Sequence, residues 1–209
     1  MDRRQIDRFF HVLAREFDAS GRVILTGAAA GSLWGHLRPS LDIDFAIRLA
    51  HHDRTRWARF AAAVDRTTRL TGIHAHYAED IDRWGPIALL DYRTHTLAYR
   101  RFGQLDVRVL DPAYWAIGKL SRYLDPDVQD LVSVLTRRRV AVERLVRILG
   151  RALRSSPPST ACFEFRTHVE HFLRTYGRAI WGRRFDPEQP LRRFHREAGI
   201  SPKGGGEIE

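Results

Sequence analysis

Apolar side chains at Ile6, Phe9, Phe10, Leu13 and Phe17 recur at the spacing of one helix face, which predicts an amphipathic helix over residues 2–17, ended by Gly21. The period then changes. Val23, Ile24 and Leu25 form a continuous apolar run between glycines, so residues 22–26 read as a short buried strand. Gly27 opens a turn and residues 28–36 read as a short helix. Over residues 41–48, Leu41, Ile43 and Phe45 alternate with Asp42, Asp44 and Ala46, a strand pattern that sends both carboxylates to one face. A long helix follows over 53–70, with Asp53 as N-cap and Gly72 just past its end. Residues 73–79 predict another strand, and the runs 94–101 and 104–110, joined through Phe102 and Gly103, predict an antiparallel hairpin.

Helical signals dominate beyond that point. Asp111-Pro112 and Asp125-Pro126 each set an N-cap acid before a proline at the first helical position, and residues 140–154 continue as a third helix. Pro157-Pro158, within 155–159, marks a hinge. Phe165, Val169, Phe172, Leu173, Tyr176 and Ile180 then follow helical spacing, a stripe that suits a core or a dimer equally. The expected fold class is α/β (α+β): a mixed sheet flanked by helices over residues 1–111, a helical region over 112–200 and a disordered tail over 201–209.

Composition narrows the setting. At 209 residues and 44% hydrophobic, the chain can bury one catalytic core with a helical extension. No window approaches the roughly 18 consecutive apolar residues of a membrane span, and the Arg-rich start lacks the apolar stretch of a signal peptide, so the expectation is a cytoplasmic protein with no membrane partner. The lone Cys162 makes no internal disulfide and is expected to be a small buried hydrophobe. The formal charge of +10 favours a polyanion, with RNA as the first expectation. Biased usage is the competing explanation, because Lys119 and Lys203 are the only lysines among 35 basic residues. That same bias singles out Lys119, since a compact ammonium and a planar guanidinium are not interchangeable.

Strand, glycine turn, short helix and Asp-x-Asp strand together carry chemistry. A glycine at the strand end lets backbone N–H groups approach phosphate oxygens unobstructed, and a helix start favours anions. Carboxylates two apart on a strand can share one hard cation such as Mg²⁺ (or Mn²⁺). The same two acids would also suit a plain solvated strand face.

From Val23 to Phe45 the segment resembles the DNA polymerase β nucleotidyltransferase superfamily, whose signature is a strand ending in Gly-Gly or Gly-Ser, about a dozen residues, then Asp-x-Asp. Gly27-Ala28 follows the apolar strand directly and is preferred over Gly31-Ser32. Ala28 is a departure, because it removes a serine hydroxyl contact to phosphate. Asp111 to Arg122 with Asp125 to Leu131 is similar to toxin nucleotidyltransferases of the AbiEii and MenT types. The resemblance implies transfer of a nucleotidyl group from a nucleoside triphosphate to a hydroxyl, with RNA, and the tRNA 3′ end in particular, as the leading acceptor and a protein side chain as the alternative. It implies Asp42 and Asp44 as metal ligands, Asp106 as third ligand or general base, and Gly27, Ala28 and Lys119 around the triphosphate. Asp127 or Asp130 would orient Lys119 or touch the acceptor. It further implies the toxin of a toxin–antitoxin pair, with a cognate antitoxin protein as partner.

Each residue also has a plainer reading. Asp106 can pair with Arg108, Lys119 can be a surface cation, Asp127 and Asp130 can favour a helix start, and Arg38 is either a phosphate contact or a surface arginine. His168-x-x-His171 lacks a third metal ligand nearby, and Arg166 with His171 is a weak match to an Arg-x4-His ribonuclease pattern. The rival functional reading is a catalytically silent nucleotidyltransferase-like module that binds RNA or protein, as an antitoxin or adaptor does.

Overall fold

A computed structural model describes residues 1–35, 42–50 and 53–200. Arg38, and the tail over 201–209, lie outside the described residues. The fold is mixed α/β with a helical C-terminal region. The chain divides into two compact units: residues 1–81 with 91–111, and residues 82–90 with everything from Pro112 onward. Residues 82–90 pack with the helical unit, where the Ala88 N–H donates to Ser156 Oγ at 2.9 Å.

The first unit holds α1 (Arg3–Phe17), β1 (Gly21–Leu25), α2 (Gly27–Leu33), β2 (Asp42–Leu49), α3 (Arg54–Thr71), β3 (His74–Ala78), β4 (Thr96–Phe102) and β5 (Leu105–Leu110). Local chemistry sets the helix ends. Asp2 and Gln5 form a reciprocal capping box at the start of α1. Asp53 accepts from the Arg56 N–H at 2.6 Å, and Gly72 closes α3 at φ +71°.

The sheet order is β3-β2-β1-β5-β4. The β1–β2 and β4–β5 pairs are antiparallel, whereas β1–β5 and β2–β3 are parallel. Alternation gives the sheet one apolar face, on which Val23, Leu25, Ile43, Phe45, Ile47, Val107 and Val109 are buried. Phe9, Phe10 and Phe17 of α1 and Phe60 of α3 cover it, and Phe45 meets the rings of Phe10 and Phe60 at 5.7 and 6.4 Å. The opposite face carries Asp42, Asp44, Asp106 and Arg108.

The second unit holds α4 (Pro112–Arg122), α5 (Asp125–Arg137), α6 (Val142–Ser155), α7 (Thr160–Trp181) and α8 (Glu188–Ala198). Leu124, not Asp125, is the N-cap of α5; Asp125 and Pro126 occupy its first turn, where the acid still meets the positive helix end. The stripe on α7 is core here: Phe165, Val169, Phe172 and Leu173 are at most 1% exposed. Cys162 is half-buried and its thiol donates to the Pro157 carbonyl at 3.2 Å, so it is less enclosed than expected.

At the centre of this unit lies a charged cluster. Lys119 is 2% exposed, and its ammonium donates to Asp127 Oδ1 at 2.7 Å and Asp130 Oδ2 at 2.6 Å, with the Trp115 ring 5.2 Å away. Arg122 adds a second cation to Asp127 at 2.8 Å. Burial alone would raise the Asp127 carboxyl, but hydrogen bonds from Arg122 and Lys119 hold it below the ordinary carboxylate range.

Removing one member of a buried ion cluster leaves an uncompensated charge, at a cost of about 3–5 kcal/mol. Lys119→Met is expected to destabilise the protein by roughly that amount in urea unfolding, more than Arg147→Met at an exposed helix position, which is expected to be near neutral. A depressed folded-state carboxyl contributes stability above its unfolded pKa of about 3.9 and loses it as pH falls further. Wild type should therefore lose stability below about pH 4 more steeply than Asp127→Asn, compared by urea midpoints across pH.

Candidate metal and phosphate site

The site begins at the end of β1. The Thr26 N–H donates to the Asp44 carbonyl at 2.9 Å, carrying the β1–β2 ladder one step past the Leu25–Phe45 pair. Gly27 then turns the chain at φ +59°. A methyl group at Gly27 would lie 1.9 Å from Asp44 Oδ2 and 2.8 Å from its Cγ. Glycine is thus required twice, for its backbone angle and for the space the Asp44 carboxylate occupies.

Asp42 and Asp44 emerge on the polar face of β2, with side chains 38% and 24% exposed. Across the parallel β2–β3 ladder, His74 lies opposite Asp42 and His76 opposite Asp44. His76 Nδ1 sits 3.2 Å from Asp42 Oδ2 and 3.5 Å from Asp44 Oδ1. One ligand atom from each of these three residues falls within 4.8 Å of the others. Two carboxylate oxygens and an imidazole nitrogen are a donor set that fits a divalent ion, and the missing Cβ at Gly27 gives the Asp44 carboxylate its seat in that set. The same contacts also suit an ion pair when the imidazole is protonated.

His76 was not singled out from the sequence. His74-Ala75-His76 carries a period-two signal, but only the pairing of β3 beside β2 brings that imidazole to the acids.

The other expected site residues fall elsewhere. Asp106 is opposite Arg22, which is itself opposite Arg48, so it lies four residues along the sheet from the level of Asp44, about 13 Å at strand rise. Its Oδ2 accepts from Arg22 Nε at 3.0 Å. That placement removes Asp106 as third metal ligand and as general base for this cluster, and it also replaces the Arg108 pairing, because Arg108 bonds Thr96. Lys119 is enclosed in the helical unit with its ammonium engaged by two carboxylates, which excludes the open triphosphate contact expected of it. Asp127 and Asp130 do hold Lys119, and both are buried, so neither is presented to an acceptor.

Gly31 and Ser32 lie inside α2, where the Ser32 hydroxyl donates to the Met1 and Ala28 carbonyls at 2.9 and 3.1 Å. Gly27-Ala28 therefore occupies the strand end. With seven residues, α2 is too short to supply much of a helix dipole. His168 donates to the Leu120 carbonyl at 2.9 Å and His171 Nδ1 meets the Tyr123 hydroxyl at 2.7 Å, while Arg166 pairs with Glu170. These contacts account for both histidines without a metal or a ribonuclease site. Comparison with family models, with curated proteins and with solved structures finds no match for this chain.

Gly27→Ala is expected to cost at least about 1–2 kcal/mol from the left-handed backbone alone, beyond what displacing Asp44 adds. Gly118→Ala, where an added methyl meets nothing within 4 Å, is the matched control and is expected to be neutral or stabilising by thermal melts.

Proposed function

We propose that the chain is a metal-dependent nucleotidyltransferase whose reacting centre is Asp42, Asp44 and His76 beside the Gly27 turn. The observation that supports this is the convergence of three ligand atoms within 4.8 Å, with the Asp44 carboxylate seated where only a glycine leaves it room. The reaction joins an acceptor hydroxyl oxygen to the α-phosphorus of a nucleoside triphosphate, breaks the α–β anhydride bond and releases pyrophosphate. A divalent ion, when bound, neutralises phosphate charge and stabilises the attacking and leaving oxygens. The backbone N–H groups of Gly27 and Ala28 face the phosphates, and the half-exposed Asp42 carboxylate receives the hydroxyl proton and passes it to water.

An imidazole shifts preference away from all-oxygen ions, so Mn²⁺ serves this site better than Mg²⁺. The net charge of +10 supports RNA as the acceptor. The resemblance to the AbiEii and MenT toxins supports the tRNA 3′ end as the hydroxyl and an antitoxin as the protein partner. A silent RNA-binding module is the competing reading, favoured by Ala28 and by the His76 contacts if they are only an ion pair.

The test is incubation with Mn²⁺ or Mg²⁺, each labelled triphosphate and total tRNA. Label transfer should fall at least about 100-fold in Asp42→Ala with Asp44→Ala, the scale of losing groups that stabilise developing charge. Transfer that survives the double substitution would sink the mechanism, and no transfer under any condition would favour the silent module. By Mn²⁺ electron paramagnetic resonance, His76→Ala should weaken Mn²⁺ binding on the order of tenfold while leaving Mg²⁺ competition little changed. Unchanged Mn²⁺ affinity would make His76 an ion-pair partner only.

A further inference from the structure

The α6 helix divides its side chains sharply. Val142, Leu145, Val146, Ile148, Leu149 and Ala152 are buried, whereas Arg147, Arg151 and Arg154 are exposed and Arg144 is half-buried. At about 100° per residue the four arginines share an arc of about 80° opposite the apolar face, spread over about 15 Å of helix axis. Immediately before the helix, Arg137, Arg138 and Arg139 are also exposed. Glu143 is the sole acid between residues 137 and 155.

Some arginines elsewhere meet carboxylates, as Arg22 does Asp106 at 3.0 Å and Arg66 does Glu16 at 2.7 Å, and among the described residues others such as Arg4, Arg59 and Arg69 do not. What marks α6 is that its arginines share one arc of one helix with a single acid in the segment. Among the described residues, no carboxylate lies within ion-pair distance of Arg137, Arg138, Arg139, Arg147, Arg151 or Arg154. Like charges three and four residues apart on a helix repel and destabilise it, and this stripe stacks several of them. A surface that concentrates charge in this way, at a cost in stability, suits a ligand that supplies the missing anions.

We propose that the arginine stripe of α6, with Arg137 to Arg139, is the docking surface for the phosphodiester backbone of a structured RNA. Guanidinium forks match phosphate oxygens in pairs, and successive stripe members step along the helix by about 4.5–6 Å, so several phosphates are engaged at once. Exposed α6 positions carry no aromatic or apolar anchor of the kind that fixes a protein partner, which argues against an acidic protein. The choice of RNA over DNA rests on the transferase reading; the stripe itself does not.

The experiment measures anisotropy of a fluorescein-labelled tRNA transcript, without triphosphate or divalent metal, over a range of KCl. Replacing Arg147, Arg151 and Arg154 together with glutamine, a good helix former, should raise Kd at least about tenfold and lower the salt slope by roughly two to three, near one per lost phosphate contact. Removing the same charge from the first unit, by glutamine at the exposed Arg4, Arg59 and Arg69, should change Kd by less than about twofold. Equal effects of the two triples would overturn the proposal, because they would trace binding to net charge and not to the stripe. Displacement of the tRNA by duplex DNA as readily as by unlabelled tRNA would overturn the choice of RNA, and equal displacement by polyglutamate would point to an acidic protein instead. Stripe-dependent binding without any label transfer supports this surface and sinks the transferase reading. Transfer with stripe-independent binding does the reverse.

Discussion

The arrangement around Asp44 depends on a side chain that is missing. With no Cβ at Gly27, the Asp44 carboxylate rests against the end of β1, and the Thr26 N–H closes onto the Asp44 carbonyl one step beyond the last β1–β2 pair. That contact fixes the register in which Asp42 and Asp44 face away from the core. A slip of one residue would exchange them with Ile43 and Phe45, driving two carboxylates into the cluster of Phe10, Phe45 and Phe60. Burying unpaired ionised carboxylates there is far more costly than any gain from re-pairing the strands. The apolar face and the acidic face therefore enforce each other, and the glycine lets the second exist at the strand end.

The chain uses its two kinds of cation differently. Lys119 places a compact ammonium between Asp127, Asp130 and the Trp115 ring inside the helical unit, a space that a planar guanidinium would fill poorly. Arginines occupy the surface, where long stems cover apolar area and charged heads stay in water. Rarity of lysine in the sequence thus marked a position with special geometry, although the geometry is that of a buried structural cluster and not of an open phosphate contact.

Most elements were legible because their signals are local. The Phe9/Phe10/Leu13 face, the Asp53 cap, the Gly72 stop and the alternation through Asp42 and Asp44 each depend on residues within a turn or two. The α8 helix falls within the expected helical region but was not singled out as an element; Pro190 at the third position of its first turn costs little, and Leu191 with Phe194 supplies a short buried face. Long-range facts were hidden. That Asp106 lies four residues along the sheet from the level of Asp44, on the same face, follows from the register of the parallel pairing of β5 with β1, and that His76 points toward the acids follows from β3 lying on the far side of β2. Neither is encoded in a window of sequence, since strand order is a property of the whole sheet. Burial of Lys119 is hidden for the same reason: its two carboxylate partners are eight and eleven residues away on the next helix, where they also read as an ordinary acidic helix start.

These corrections change what the proposed chemistry can rely on. Under the proposed reaction, with no serine hydroxyl at position 28 and with Lys119 enclosed, the grip on a triphosphate would fall to backbone N–H groups and to an ion held by the Asp42, Asp44 and His76 donors. Backbone donors around a glycine read phosphate and not base, so selection among nucleotides has to come from side chains further from the acids. Replacing a third oxygen donor with an imidazole also lowers the negative charge around the ion by one, which leaves it a stronger Lewis acid toward phosphate oxygens than an all-carboxylate set would. A weaker protein grip and a more electrophilic ion act in opposite directions on binding. Under the proposed reaction, therefore, nucleotide affinity is carried by the metal, and the protein's own contribution is to keep two carboxylates and one nitrogen converged beside the Gly27 turn.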